Sequence, residues 1–224
     1  MSDIPYATIC IGGADAENFL QGQLTADVRS FTGAPRLTAW CNPKGRVICI
    51  MNARKEGDVF RLALPAELAA PVEQRLTMFR FRSKVELEIV AATAADLGIT
   101  DDYESWRSER LRSGIPEIFA DQSEQFTSHM LNLDLLGAVS LDKGCYTGQE
   151  IISRTHYRGA SKRRLQRFVS DQPVSRGDRV LAGERAVGEV VNVIGCDLLA
   201  VLPVQLPNAE LRVADSILSA ASSD

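Results

Sequence analysis

The chain has 224 residues, with 25 Lys and Arg against 29 Asp and Glu for a net charge of −4, and is 45% hydrophobic and 24% charged. That length and balance are ordinary for a soluble globular protein of one large or two small domains, and the acid excess does not suit a dedicated nucleic-acid binder. No apolar run approaches the roughly 18 residues of a membrane span, and Met1-Ser2-Asp3-Ile4-Pro5 lacks the basic start and apolar core of a secretory signal. The default expectation is a cytoplasmic protein with no membrane partner.

The first predicted element is a strand over residues 6–11, ended by Gly12-Gly13. A helix follows over 15–23, with Phe19, Leu20 and Leu24 as its apolar stripe. Gln21, Gln23, Thr25 and Asp27 then gather as polar groups that either line a cavity or close a turn. Residues 37–41 and 46–51 read as a hairpin around Asn42-Pro43-Lys44-Gly45. If Cys41 pairs with Arg46, alternation puts Cys41 and Cys49 on opposite faces. A strand over 59–64, a helix over 66–79 and a strand over 84–90, with Val85, Leu87 and Ile89 inward, complete a mixed α+β pattern rather than alternating βαβ units. Arg75, Arg80, Arg82 and Lys84 lie among Met78, Phe79 and Phe81. Such cations and aromatics can stack bases, or can simply snorkel from a half-buried element.

From residue 91 the pattern weakens, apart from a short helix over 104–113 closed by Gly114 and Pro116. In residues 123–137, Leu131, Leu133, Leu135 and Leu136 read as core. His129 and His156 are each isolated and lack metal-ligand spacing. After Gly159 come short strands over 165–169, 179–181, 186–194 and 198–204, separated by Gly and Pro, which suit a small antiparallel barrel or sandwich.

The five cysteines, Cys10, Cys41, Cys49, Cys145 and Cys196, are widely spaced and odd in number, against a disulfide framework. Without a C-x-x-C or a Cys/His cluster, no metal site formed by this chain alone is expected. Cys145 could serve as a single cluster ligand completed by other molecules. It sits in Lys143-Gly144-Cys145-Tyr146-Thr147-Gly148-Gln149-Glu150, where Thr147 and Glu150 have capping-box spacing and Tyr146 and Ile151 that of a hydrophobic staple. A helix from Gly148 to Arg158 would place the thiol near a positive dipole end, with Lys143 adding to the effect. The alternative is a small residue filling a gap beneath the helix. Between residues 143 and 170 there are seven basic residues and one acid, whereas 91–142 carry ten acids against three arginines. The basic segment is either a phosphate-facing patch or a solvated surface.

Lys143 to Glu150, with Arg154, Arg158-Gly159 and Lys162-Arg163, resembles the signature of the YgfZ-like folate-binding proteins, relatives of the glycine-cleavage aminomethyltransferase. The stretch from Asn18 to Val28, Asn42-Pro43-Lys44-Gly45-Arg46, Gly114-Ile115-Pro116 and Asn132-Leu133 extend the resemblance. It implies an aminomethyltransferase-like mixed sheet and helix domain over 1–160 and a C-terminal β-barrel over 161–224. It also implies an iron–sulfur assembly or maintenance factor that supports radical enzymes such as tRNA methylthiolases. Iron–sulfur proteins or cluster carriers would be its partners, tetrahydrofolate or a derivative its cofactor, and tRNA a weak contact. Cys145 would be the functional thiol with Lys143 beside it, and Asp27, Arg112, Tyr146, Gln149, Glu150 and Arg154 the folate-side residues.

Two departures from the family separate this chain from the transferases. The strand Val47-Ile48-Cys49-Ile50 has no carboxylate where the aminomethyltransferases carry one, and Arg112 stands where family members often have a folate-recognising glutamate. An arginine can meet a glutamyl carboxylate but cannot accept from pterin N–H groups. A folate-dependent one-carbon transferase using Asp27, and a noncatalytic tRNA-binding module using Arg154, Arg158, Lys162, Arg163 and Arg164, are the alternatives.

Overall fold

Antiparallel strands organise both units of the chain in the computed structural model, which describes residues 4–159 and 161–221. The first unit comprises Met1–Tyr103, Ile118–Ser128 and Leu133–Arg154, and the second Glu104–Glu117, His129–Asn132 and Thr155–Asp224. The boundary expected at Ala160 lies outside the described residues, as do Met1, Ser2 and Asp3. Among the described residues no helix is long and apolar enough to cross a membrane.

In the first unit, β1 (Tyr6–Gly12), β2 (Arg36–Cys41), β3 (Val47–Glu56), β4 (Val59–Pro65) and β5 (Glu86–Ala91) form one sheet in the order β2-β3-β4-β1-β5. Every neighbouring pair is antiparallel. Strand alternation sends Ala7, Ile9 and Ile11 of β1 and Phe60, Leu62 and Leu64 of β4 to one face. There they pack with Phe19 and Leu20 of α1 (Ala16–Gln21) and with Leu68, Ala69, Val72 and Leu76 of α2 (Ala66–Phe79). The 3.6-residue period of those α2 positions is what makes the helix lie on the sheet. Ile89 pairs with buried Ile9 yet is 40% exposed, a correction to its expected inward place. The cause is that β5 is an edge strand.

The opposite face carries an ionic centre that the weak sequence pattern after residue 91 did not disclose. Asp96, on the short helix α3 (Ala94–Leu97), is completely buried. It accepts from Arg54 Nε at 2.9 Å, from Arg61 Nε and Nη2 at 2.6 and 2.7 Å, and from Thr8 Oγ1 at 3.1 Å. Thr93 and Asp96 also form a reciprocal capping box. Burial alone would raise the Asp96 pKa, but Arg61, Thr93 and Arg54 outweigh it and hold the carboxyl well below the usual range.

The second unit is a closed barrel in the order β10-β11-β6-β9-β8-β7, formed by β6 (Arg163–Ser170), β7 (Arg179–Ala182), β8 (Arg185–Ile194), β9 (Asp197–Pro203), β10 (Leu211–Val213) and β11 (Ser216–Ala220). β10 and β11, absent from the sequence expectation, are short segments whose role is closure. Phe168, Val180, Val190, Leu198 and Leu202 fill the interior. A Cβ at Gly188 would lie 2.6 Å from the backbone oxygen of Val201, which cannot give way, so glycine is required there. Irregular register after Val180 and Val190 bends the strands toward closure. The side-chain amide of Asn192 exchanges two 3.0 Å hydrogen bonds with the Glu117 backbone, holding the segment after α4 (Tyr103–Arg112) to the barrel.

Other expectations are corrected here. Cys41 pairs with Val47, not Arg46, because the register shifts between Trp40 and Cys41. Leu131 and Leu133 are buried, but Leu135 is 72% exposed, since this segment is made of turns and has no strand alternation. His129 and His156 are not isolated: their ring centroids lie 6.3 Å apart in the second unit.

Removing the Asp96 carboxylate leaves Arg54 and Arg61 facing each other across a largely buried space. Asp96→Ala is expected to lower unfolding stability at neutral pH by about 3–5 kcal/mol. Because the folded-state pKa is depressed, this contribution is present above the ordinary aspartate pKa of about 3.9 and fades as pH falls below it. Urea unfolding of both proteins from pH 7 to pH 3 should show the gap narrowing, and a pH-independent gap would contradict the ionic account.

Candidate functional site

The segment from Gly22 to Ala26 runs between β2 and the loop that carries the cysteine motif. On the sheet side, Thr25 N donates to Ala39 O at 2.9 Å, Ala39 N donates to Thr25 Oγ1 at 3.0 Å, and Ala26 N donates to Thr38 Oγ1 at 3.2 Å. On the loop side, the carbonyls of Gly22, Leu24 and Ala26 all accept from the motif. Thr147 N reaches Gly22 O at 3.2 Å, and the Lys143 ammonium lies 2.8 Å from both Leu24 O and Ala26 O. Ser140 N donates to Thr25 O at 2.9 Å, and Thr25 Oγ1 donates to Ala138 O at 2.7 Å. Thr25 therefore closes no simple turn; it joins two parts of the fold.

The motif loop is also clamped by the hairpin turn between β2 and β3. Asn42 Oδ1 accepts from the Lys44 and Arg46 amides, which fixes that turn. Gly148, with φ +85°, comes so close that a Cβ on it would lie 2.6 Å from Asn42 O. Glycine is required twice over, for the dihedral and for the contact. The helix α5 (Gln149–Arg158) starts one residue later than expected. The Thr147 N–H is taken by Gly22 O rather than by Glu150, so the backbone half of the expected capping box does not form.

Lys143 lies beneath this loop with its ammonium 4.9 Å from the centre of the Tyr146 ring. Desolvation lowers its pKa to about 8, against a smaller opposing pull from Asp27. The ammonium is committed to two carbonyls and a ring face rather than directed at Cys145. Tyr146 is buried, its hydroxyl has no hydrogen-bond partner among the described residues, and burial raises its pKa. Gln149 Nε2 donates to Lys143 O at 3.2 Å, closing the loop on itself.

Cys145 is exposed, and the neighbouring Gly144 has open space where a side chain would be. The thiol stands off α5, with the left-handed Gly148 between them. Cys41 and Cys49 are fully buried, and desolvation pushes Cys49 up to about 12 and Cys41 upward as well. Cys196 lies in the turn between β8 and β9 and is exposed.

Beside the clamp is a cleft of about 410 Å³ lined by Asp27, Ser30, Arg36, Ser140 and Asp142, among others. Asp27 Oδ1 accepts from Gln21 Nε2 at 2.9 Å and from Arg29 N at 3.1 Å. Burial would raise its pKa, but the Arg29 amide, the Gln21 side chain and the charges of Lys143 and Arg29 hold it below the usual value. An ionised carboxylate of this kind is a good hydrogen-bond acceptor and a weak general base.

Of the residues singled out from sequence, Asp27, Lys143, Tyr146 and Gln149 come together in the first unit. Glu150 and Arg154 are exposed on α5. Arg112 belongs to the second unit, where its guanidinium is 3.8 Å from Asp197. Arg36, Ser30, Ser140 and Asp142 were missed because nothing local marks them, and only the return of residues 137–142 past the 24–26 segment gathers them into one cleft.

No family model matches the chain. It is 28% identical over 243 residues to an uncharacterized protein of Haemophilus influenzae, covering 91% of this chain and 87% of that one. It is likewise 28% identical over 222 residues to the tRNA-modifying protein YgfZ of Escherichia coli O157:H7, covering 71% of this chain and 68% of the relative. Among solved structures, the glycine cleavage system aminomethyltransferase T of Bartonella henselae superposes with a TM-score of 0.75 over 97% of this chain and 83% of that one, at 16% identity. The sheet unit and closed barrel give the chain the fold of the glycine-cleavage aminomethyltransferase, and in sequence it is similar to the YgfZ proteins.

Proposed function

We propose that this chain is a folate-binding accessory factor for tRNA modification, and that Cys145 serves the iron–sulfur clusters of the radical enzymes involved. The observation that carries the reading is the placement of Cys145. It is an exposed thiol beside open space, on a loop fixed at both ends by the Lys143 and Thr147 hydrogen bonds and by the Gly148 contact. A rigid support for an accessible soft ligand suits transient contact with a cluster or carrier protein, in which Cys145 supplies one sulfur and other molecules the rest. The YgfZ name of the Escherichia coli relative supports the link to tRNA modification.

The chemistry of the 410 Å³ cleft supports the folate part. Its volume falls within the range of small-molecule sites. Asp27 Oδ1 already accepts from Gln21 and Arg29, and Oδ2 can accept an N–H group of a pterin, while Arg36 can meet a glutamyl carboxylate. The cofactor, when bound, supplies a carrier for one-carbon units, while Asp27 orients it and the Gln21 and Arg29 contacts keep Asp27 ionised. The transferase alternative is disfavoured because the buried strand Val47-Ile48-Cys49-Ile50 holds no carboxylate where the related enzymes carry one, and the contacts that lower the Asp27 pKa make it a weaker base.

Isothermal titration with tetrahydrofolate checks the cleft. Asp27→Asn preserves shape but removes the charge, and should weaken binding about tenfold or more, in line with the loss of a charge-assisted hydrogen bond. Equal affinity in both proteins would rule out Asp27 as the pterin acceptor.

Thiol accessibility gives a second check. Brief alkylation of the native protein at pH 8 should label Cys145 and Cys196 first, and reach Cys41 and Cys49 only on unfolding. With a pKa of about 12, Cys49 has roughly one part in 10⁴ as thiolate at that pH. In cells lacking the native chain, Cys145→Ser should fail to restore methylthiolated tRNA nucleosides, whereas Cys196→Ser restores them. Full restoration by Cys145→Ser would end the thiol reading.

A further inference from the structure

The turn that leaves α2 carries exposed apolar side chains that the core does not use. Met78 is 65% exposed and Phe81 87%, while Phe79 is 36% exposed and rests edge-on against Trp40 at 6.0 Å. Phe81 touches no other ring among the described residues and has φ +45°, a conformation that a bulky residue adopts only under constraint. The constraint is visible. Ser83 N donates to Arg80 O at 2.8 Å, Arg80 Nη1 donates to Val85 O at 3.1 Å, and Lys84 N donates to Asp15 Oδ2 at 2.7 Å. Gly13 packs against Lys84 O so tightly that a Cβ there would lie 2.3 Å away.

This rigid turn places Phe81 between Arg80 and Arg82, with Lys84 following, and no acid occurs from Gln74 to Val85. Arg82 and Lys84 are exposed. Of the nearby acids, Asp15 receives the Lys84 amide and Glu124 pairs with Arg75. A lipid surface would require a continuous apolar face, but the apolar face of α2, formed by Leu68, Ala69, Val72 and Leu76, is buried in the core. An isolated ring flanked by cations matches a base flanked by phosphates.

We propose that residues 78–84 are a contact site for single-stranded nucleic acid, with Phe81 stacking on a base and Arg80, Arg82 and Lys84 meeting the adjacent phosphates. The proposal goes beyond the folate and thiol reading and shares no residue with it, so either can fail alone. Because the turn is already fixed by its own hydrogen bonds, little ordering accompanies binding.

Fluorescence anisotropy with a labelled oligouridine of roughly 12 nucleotides tests the site, with oligothymidine as the DNA arm. Phe81→Gly removes the ring and relieves the positive φ, so the fold is retained. It should weaken binding by about 5- to 150-fold, the range for one stacked base, while Phe81→Trp should bind at least as well as the native chain. With three phosphate contacts the affinity should fall with salt at a log–log slope of about −2, and Arg82→Ser should make it shallower by about 0.7. No binding at low salt, or equal affinity for native protein and Phe81→Gly, overturns the proposal. Binding to phosphatidylserine vesicles without binding to either oligonucleotide also overturns it, and assigns the patch to a lipid surface.

Discussion

Three carbonyl oxygens, those of Gly22, Leu24 and Ala26, hold the motif loop to the first unit, and the candidate site depends on that row. The 22–26 segment is irregular, turning out of α1 at Gly22, and this lets the adjacent amides of Thr25 and Ala26 meet β2 while the carbonyls of Gly22, Leu24 and Ala26 receive Thr147 N and the Lys143 ammonium. The lysine replaces a strand: a single cation satisfies two carbonyls that would otherwise be left unpaired. Its reduced basicity follows from the same position, since the group is withdrawn from water without a carboxylate in direct contact.

The second constraint is steric. Asn42 O sits where a side chain at position 148 would have to go, so the Asn42-Pro43-Lys44-Gly45 turn and the cysteine loop form one object although a hundred residues separate them in sequence. A Cβ at Gly45 would in turn lie 3.2 Å from Ile151. Two glycines facing each other's elements explain why both turns are glycine-bearing. Cys145 owes its fixed position to these contacts and not to the helix that follows.

Much of the scaffold was legible in the sequence because it rests on local periodicity. The expected helix over 66–79 coincides with α2, and the hairpin about Asn42 and the barrel strands β6, β7, β8 and β9 lie close to their expected places, whereas β10 and β11 were not expected. The site was legible only where a motif named it. Lys143, Tyr146 and Gln149 were visible as a cluster, but the role of Lys143 as a clamp was not, because its partners are backbone atoms of residues 24 and 26. Asp96 was missed for a related reason: its arginines come from β3 and β4, and four residues of helix carry little pattern. His129 and His156 illustrate the same limit, since their proximity is made by folding across a long sequence interval.

The sheet of the first unit, unlike the barrel, has an open edge. Among the described residues β5 pairs with β1 alone, and its other side leaves a backbone edge open to a foreign strand. Glu86 and Glu88 are exposed along this edge, and two copies meeting there would bring like charges together. Ile89, the exposed apolar residue beside them, would otherwise invite such pairing. The alternation of glutamate with aliphatic residues in Glu86-Leu87-Glu88-Ile89 therefore protects against self-association, and a substitution that neutralised both acids would expose the chain to edge-to-edge aggregation while leaving its folded interior unchanged.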